Sequence, residues 1–269
     1  MPVLHRVVFV FALIWIATLS SVSAAAGLPT AGVCAHRGAS GTHPENTIPA
    51  LLEAVRLGAA MLEFDVQLTA DGVLVLMHDD TVDRTTDGAG RPPELESGRI
   101  ATLDAGAWKS REFAGVRVPT LAEVLAVLPR DRWLNVHVKG GPAVARAAAL
   151  ALAADDRLDH AFIAGLREEC DAARAAVPTV LTCNMTRRAD PSDYVRETVE
   201  RGDAFIQLRG HADDPRFGDW IAALRAGGVR INYYGTNDPA EFARLRQAGV
   251  DFPLVDDVHL IPAEERAKR

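Results

Sequence analysis

The chain has 269 residues, 48% of them hydrophobic and 24% charged, with a formal net charge of -7. That is enough apolar material for one well-buried core and too much for a disordered chain. The mildly acidic balance, with no run of five or more like charges, disfavours nucleic-acid binding by bulk charge, so an anionic substrate needs a local site.

The N-terminal stretch stands apart from the rest. MPVLHR is short and basic, VVFVFALIWIA is an unbroken apolar run of 11 residues, and TLSSVSAAAG is small and polar. This order reads as a secretory signal peptide over residues 1–26, cut after Ala24 or Ala26, that exports the domain 27–269 to the periplasm or beyond the cell. The other reading, an uncleaved membrane anchor, needs about 20 apolar residues, more than this run supplies.

From residue 32 onward, short apolar segments with β-branched residues alternate with longer alanine- and leucine-rich segments. GVCAHR (32–37) reads as the first strand, after which Asn46 or Thr47 caps a helix with Pro49 early in it and Gly58 past its end. MLEFDVQL (61–68) is the second, and the run VLVLM before His78 reads as the end of a strand. Residues 84–118, rich in Gly, Pro and charge and without a periodic core pattern, read as an insertion over one end of the domain. Thr120 to Glu123 form a capping-box pattern. WLNVHVK (133–139), HAFIAG (160–165), TVLTCN (179–184), AFIQLR (204–209), VRINYY (229–234) and FPLVDD (252–257) complete eight strands, and Asp238-Pro239 opens a last helix that Gly249 ends. The repeated unit predicts an α/β fold, a (β/α)8 TIM barrel with a small insertion after the second strand. Of the three cysteines, Cys34 reads as strand packing, and Cys170 and Cys183 fit either a disulfide or two small buried thiols.

Two strands carry an inverted pattern. In MLEFDVQL, Leu62, Phe64, Val66 and Leu68 share one face, and Glu63, Asp65 and Gln67 share the other. An edge strand with a wet face would account for this strand alone. WLNVHVK repeats the inversion, with Asn135, His137 and Lys139 opposite three aliphatics, and two such strands in one barrel imply a polar pocket. Buried carboxylates need a counter-charge, and a divalent cation at the C-terminal strand ends would supply it. His36 and His78 both follow strands and offer an acid/base pair of the kind that phosphodiester hydrolysis requires. Arg37 and Lys139 can bind the phosphoryl oxygens.

HRGxxxxxPENT, ExD, HDDTVDRTTDG, LNVHVK and TNDPAEFARLRQAGVDFPLVDD occur in an order that resembles the glycerophosphodiester phosphodiesterase family, over roughly residues 32–258. The resemblance implies a metal-dependent hydrolase that cleaves a small-molecule glycerophosphodiester to sn-glycerol 3-phosphate and an alcohol. It implies His36 and His78 as acid/base pair, Arg37 and Lys139 on phosphate, Glu45 as support for the first loop, Asn46 and Thr47 as structural, and Glu63 and Asp65 on the metal. The third metal position, usually the glutamate of E-I-K, is His137 here, which leaves calcium, magnesium, manganese and zinc all in play and predicts weaker calcium binding. Tyr233 or Tyr234 stands where the family often has a tryptophan, and reads either as lining of the alcohol pocket or as barrel packing. Asp257 reads as barrel closure. Lipid-directed relatives (lysophospholipase D or phosphoinositide phospholipase C type) and a non-catalytic phosphate-binding barrel are the competing readings. The apolar residues of the insertion, Leu95, Ile100, Leu103, Trp108 and Phe113, are the only hint of a membrane contact.

Overall fold

The computed structural model describes residues 27–269, so the leader expected over 1–26 lies outside the described residues. Its strands are β1 (Ala31–Gly32), β2 (Cys34–Ala35), β3 (Met61–Leu68), β4 (Leu74–Leu76), β5 (Trp133–Val138), β6 (Ala161–Gly165), β7 (Leu181–Asn184), β8 (Phe205–Leu208), β9 (Arg230–Tyr234), β10 (Phe252–Val255) and β11 (Ala267–Lys268). The helices are α1 (Ile48–Leu57), α2 (Ser97–Ile100), α3 (Leu121–Val127), α4 (Pro142–Ala154), α5 (Arg167–Ala176), α6 (Pro191–Arg201), α7 (Phe217–Ala226), α8 (Pro239–Ala248) and α9 (Ala263–Arg266). Strands β2, β3 and β5 to β10 pair in parallel in that order, and β10 returns to β2, closing an eight-stranded barrel. Each of the eight strands expected from sequence lies in it. The VLVLM run does form a strand, but β4 is an antiparallel hairpin partner of β3 outside the barrel.

Why the chain closes this way is visible in the two faces of β3. Leu62, Phe64 and Val66 are fully buried against an outer layer that includes Leu51 and Ala54 of α1 and Ala145 and Ala148 of α4. The opposite face carries Met61 into a floor with Trp133, Phe162, Phe205 and Phe252. Phe162 and Phe205 stack with ring centroids 3.9 Å apart, and burial of each such ring is worth about 2–3 kcal/mol. Beneath them, β1 pairs antiparallel with β11, Trp133 Nε1 donates to the Pro29 carbonyl at 2.9 Å, and the Arg230 guanidinium lies 4.5 Å from the Trp133 ring centroid. Among the described residues these contacts cover the bottom of the barrel, and the polar cleft lies at its C-terminal end.

Local signals set the helix ends. The Thr47 hydroxyl accepts from the Ala50 amide, Gly58 closes α1 in the left-handed region, and Thr120 and Glu123 complete the capping box of α3. Asn46, the alternative cap, is used elsewhere. Residues 84–118 share a small core with the β4 hairpin, in which Ile100, Leu103 and Val118 are buried with Val75, Met77 and Val82. The Lys109 ammonium donates to the Ser40 carbonyl at 2.7 Å and the Phe113 ring packs 4.9 Å from that of His43, so the segment braces the loop after β2. Ile100 and Leu103 are thus interior residues rather than a membrane-facing rim. Among the described residues no helix is long and apolar enough to cross a membrane. Cys34, Cys170 and Cys183 are free and buried, and burial pushes the Cys170 thiol up to about 12, which suits packing and not nucleophilic chemistry.

A close backbone approach occurs at Gly38, where φ is 79° and a Cβ would lie 2.6 Å from the Ala50 carbonyl carbon. Gly38→Ala is expected to cost about 2 kcal/mol or more, a fall of roughly 5 °C in Tm for a domain of this size, measured by thermal unfolding. An unchanged Tm would contradict the close approach.

Candidate active site

The first loop is built around an unusual turn. Two residues after the end of β2, Arg37 takes φ 55°, a left-handed conformation that an arginine rarely adopts, and its amide donates to Glu63 Oε2 at 2.8 Å. That turn aims two side chains in different directions. The Arg37 guanidinium donates from Nη1 to Glu45 Oε1 at 2.7 Å and lies with Nε 3.3 Å from Asp65 Oδ2. His36 Nδ1 is 2.7 Å from Asp256 Oδ1. Burial alone would lower the His36 pKa, but the hydrogen bond to Asp256 and the nearby Glu63 charge outweigh it and the net direction is upward. The same hydrogen bond keeps the Asp256 carboxyl below the usual carboxylate range despite its own partial burial. Asn46, also left-handed at φ 56°, donates Nδ2 to Asp65 Oδ2 and accepts the Asp65 amide on Oδ1, both at 3.0 Å. It is a clamp on a carboxylate rather than a helix cap.

The centre of the site is the pair Glu63 and Asp65, which are only 2% and 1% exposed. Parallel register places Asp65 beside His137 of β5, and His137 Nδ1 is 3.0 Å from Asp65 Oδ1 and 3.7 Å from Glu63 Oε1. The Lys139 ammonium is 3.5 Å from Asp65 Oδ1. Burial would raise the Asp65 pKa, but His137, Lys139 and Arg37 drive it far below the usual carboxylate range. His137 responds in the opposite sense: burial lowers its pKa, and the two carboxylates more than restore it. Glu63, Asp65 and His137 each offer a ligand atom, all within 4.8 Å of one another. Two buried carboxylates converging with an imidazole form a donor set that fits a divalent cation.

A third element brings in His78. Gln67 of β3 donates from Nε2 to the carbonyls of Met77 and Asp79, at 3.1 and 2.7 Å, and so pins the loop that follows β4. His78 Nδ1 lies 2.6 Å from Asp79 Oδ1. Arg84 donates both to Asp79 (Nη2 to Oδ1, 3.1 Å) and to Glu45 (Nη1 to Oε2, 2.9 Å). Glu45 therefore joins Arg37 to Arg84, and through Asp79 the first loop is tied to the second.

His36, Arg37, Glu63, Asp65, His137 and Lys139 line one cleft of about 170 Å³ at the C-terminal end of the barrel, and His78 lines it too. Glu45 and Asn46 stand behind it as supports. Tyr234 is in the cleft, its ring edge-on to His36 with centroids 5.1 Å apart, whereas Tyr233 is buried outside with its hydroxyl accepting the Gly210 amide. Sequence reasoning missed Asp256 and Arg84, which act through partners on other loops, and Asp79, which pairs with its neighbour His78 and with Arg84 of the same loop. It also missed Arg187 and Arg209 on the far wall, although alternation along Cys183, Met185, Arg187 and along Phe205, Gln207, Arg209 places both on inward-facing positions.

Fold and rim together define a TIM barrel whose open end brings a buried carboxylate pair together with basic side chains and two carboxylate-backed histidines. The chain belongs to the glycerophosphoryl diester phosphodiesterase family, whose match covers residues 36–260. It is 47% identical over 110 residues to the putative glycerophosphodiester phosphodiesterase YhdW of Bacillus subtilis, covering 41% of this chain and 45% of that one. With glycerophosphodiester phosphodiesterase 1 of Mus musculus it shares 44% identity over 117 residues, 42% of this chain and 35% of that one. The match thus spans less than half the length of these relatives. Its structure is similar to that of a glycerophosphodiester phosphodiesterase from Agrobacterium tumefaciens, with a TM-score of 0.73 and 28% identity over 86% of this chain and 98% of that one. It is also similar to a phosphodiesterase from Oleispira antarctica in complex with the product sn-glycerol-3-phosphate, with a TM-score of 0.75 and 26% identity over 86% and 94% of the two chains.

Asp79 is held at about 2 by its hydrogen bond to Arg84, assisted by that to His78. A folded pKa below the unfolded one adds stability that is full above about pH 5 and disappears as the pH falls towards 2. The stability gap between wild type and Asp79→Asn, read from urea denaturation, should therefore narrow on acidification. A gap equal at both ends of that range would rule out the ion pairing.

Proposed function

We propose that this protein hydrolyses glycerophosphodiesters to sn-glycerol 3-phosphate and an alcohol, with His36 and His78 as the acid/base pair. The observation that carries this reading is the convergence of two imidazoles, each hydrogen-bonded at Nδ1 to a carboxylate, on the cleft that also holds Arg37 and the Glu63–Asp65 pair. A phosphodiester is a poor electrophile with a strongly basic leaving group, so cleavage needs a proton taken from the nucleophile and another delivered to the departing alkoxide. With Nδ1 engaged by an aspartate, each imidazole keeps Nε2 for that transfer. Arg37 and Lys139 offset charge on the phosphoryl oxygens, the first through its planar fork.

Glu63, Asp65 and His137 would hold a divalent ion, which supplies Lewis-acid stabilisation of the phosphoryl oxygens. Relative to three carboxylates, this set replaces an anionic oxygen with a neutral nitrogen, which favours manganese or zinc over calcium. Export of this activity follows if residues 1–26 act as a signal peptide. Of the five apolar residues in the insertion, Ile100 and Leu103 are buried and Trp108 is exposed, too little apolar surface to favour a lipid-directed reading.

Release of glycerol 3-phosphate from glycerophosphoglycerol and glycerophosphoethanolamine tests the activity, and His36→Ala or His78→Ala should lower kcat by about 100-fold or more. A folded, metal-supplemented protein that turns over neither diester would reject the reading. Metal preference is checked apart from turnover, by electron paramagnetic resonance of bound manganese during competition with calcium. His137→Glu should shift that competition towards calcium, and an unshifted competition would remove His137 from the ligand set. Because Asp256 raises the His36 pKa, Asp256→Asn should move the limb of the pH–rate profile that His36 governs to lower pH. A limb that stays in place would show that the aspartate does not tune this histidine.

A further inference from the structure

The far wall of the cleft carries more positive charge than the reacting group can use. Arg187 and Arg209 follow β7 and β8, across the barrel from the carboxylates of β3, and both line the cleft. Among the described residues neither makes an ion pair with a carboxylate. Neighbouring arginines do: Arg188 is paired with Glu197, and Arg216 with Asp214 and Asp190. Arg209 instead lies over Tyr234, 4.9 Å from the ring centroid, and Tyr234 in turn contacts His36. On the opposite wall, Arg37 and Lys139 are already engaged with Asp65 and Glu45 and face the single negative charge of a diester.

The two unpaired guanidiniums also form one side of a second pocket of about 50 Å³, floored by Leu208, Phe217 and Trp220 and bordered by His211. It opens beside the cleft, where the arginines can reach the outer part of a substrate head group. Two exposed guanidiniums repel a choline or ethanolamine cation and present planar donor forks to an oxyanion.

We infer that Arg187 and Arg209 bind a second anionic group, a phosphate or carboxylate on the alcohol portion of the substrate, and so select glycerophosphodiesters with acidic head groups over those with cationic ones. The inference rests on the proposed hydrolysis. Since both arginines are solvent-exposed, the preference is screened by salt and is greatest at low ionic strength.

The test compares kcat/KM for glycerophosphoinositol 4-phosphate, glycerophosphoserine, glycerophosphoglycerol and glycerophosphocholine in wild type, Arg187→Gln and Arg209→Gln. Wild type should favour the phosphate-bearing diester over the choline diester by about tenfold or more, as expected for a charge-assisted hydrogen bond. Each variant should reduce that ratio several-fold, mainly through KM, and added salt should reduce it in wild type. The serine diester distinguishes carboxylate from phosphate recognition, and a gain for either acid over glycerophosphoglycerol supports the subsite. Equal efficiency on all four diesters, or a ratio unmoved in both variants, overturns the inference while leaving hydrolysis intact. Turnover of none of them overturns hydrolysis and the inference together.

Discussion

Two carboxylates, Glu63 and Asp65, sit almost without solvent at the open end of the barrel, and much else in the site is arranged around the cost of keeping them charged. Desolvating a carboxylate costs several kcal/mol, and stripping a buried charge of a partner typically costs about 3–5 kcal/mol. Asp65 is accordingly surrounded: Asn46 binds both its amide and one oxygen, His137 and Lys139 approach the other oxygen, and the Arg37 guanidinium lies alongside. Glu63 takes the Arg37 amide, which fixes the turn that aims His36 at Asp256. The left-handed conformations of Arg37 and Asn46 are strained positions in contact with this pair, and its charge makes them worth holding.

From this centre the order propagates outward along hydrogen bonds rather than through apolar packing. Arg37 binds Glu45, Glu45 binds Arg84, and Arg84 binds Asp79 beside His78, so the second histidine depends on the first loop although it arrives on a separate hairpin. On the other side Asn237 accepts the Asp256 amide and donates to its carboxylate, linking the TND stretch to His36. The aromatic floor beneath has the opposite character: Phe162, Phe205 and Phe252 fill the barrel and give the polar layer a rigid base.

Strand order, the inward set Glu63, Asp65, His137 and Lys139, and the two histidines were legible because a period of two is a local property, and an inverted period on two strands has few explanations. His137 was legible as a departure only against the E-I-K of the family that the motifs resemble. The insertion was less so. Its core residues Ile100, Leu103, Ala105 and Val118 have no regular spacing, because they converge through turns and short helices rather than along one element. The Asn46 and Thr47 alternatives could not be separated, since both residue types cap helices and the choice depends on Asp65, nineteen residues further along the chain.

The sequence by itself determined the alternation of strands and helices, which faces of β3 and β5 are polar, the capping box at Thr120 and Glu123, and the chemistry available at the strand ends, all consequences of neighbours within one turn or one pleat. Only the tertiary structure decided that Asp256 and Asp79 back the two histidines, that Glu45 bridges two arginines, that Tyr234 and not Tyr233 enters the cleft, and that Arg187 and Arg209 face it without carboxylate partners. Closure of the barrel is the physical reason. It brings residues more than two hundred positions apart, such as His36 and Asp256, to 2.7 Å, and a side chain's charge state and role follow from such partners, which no local pattern encodes.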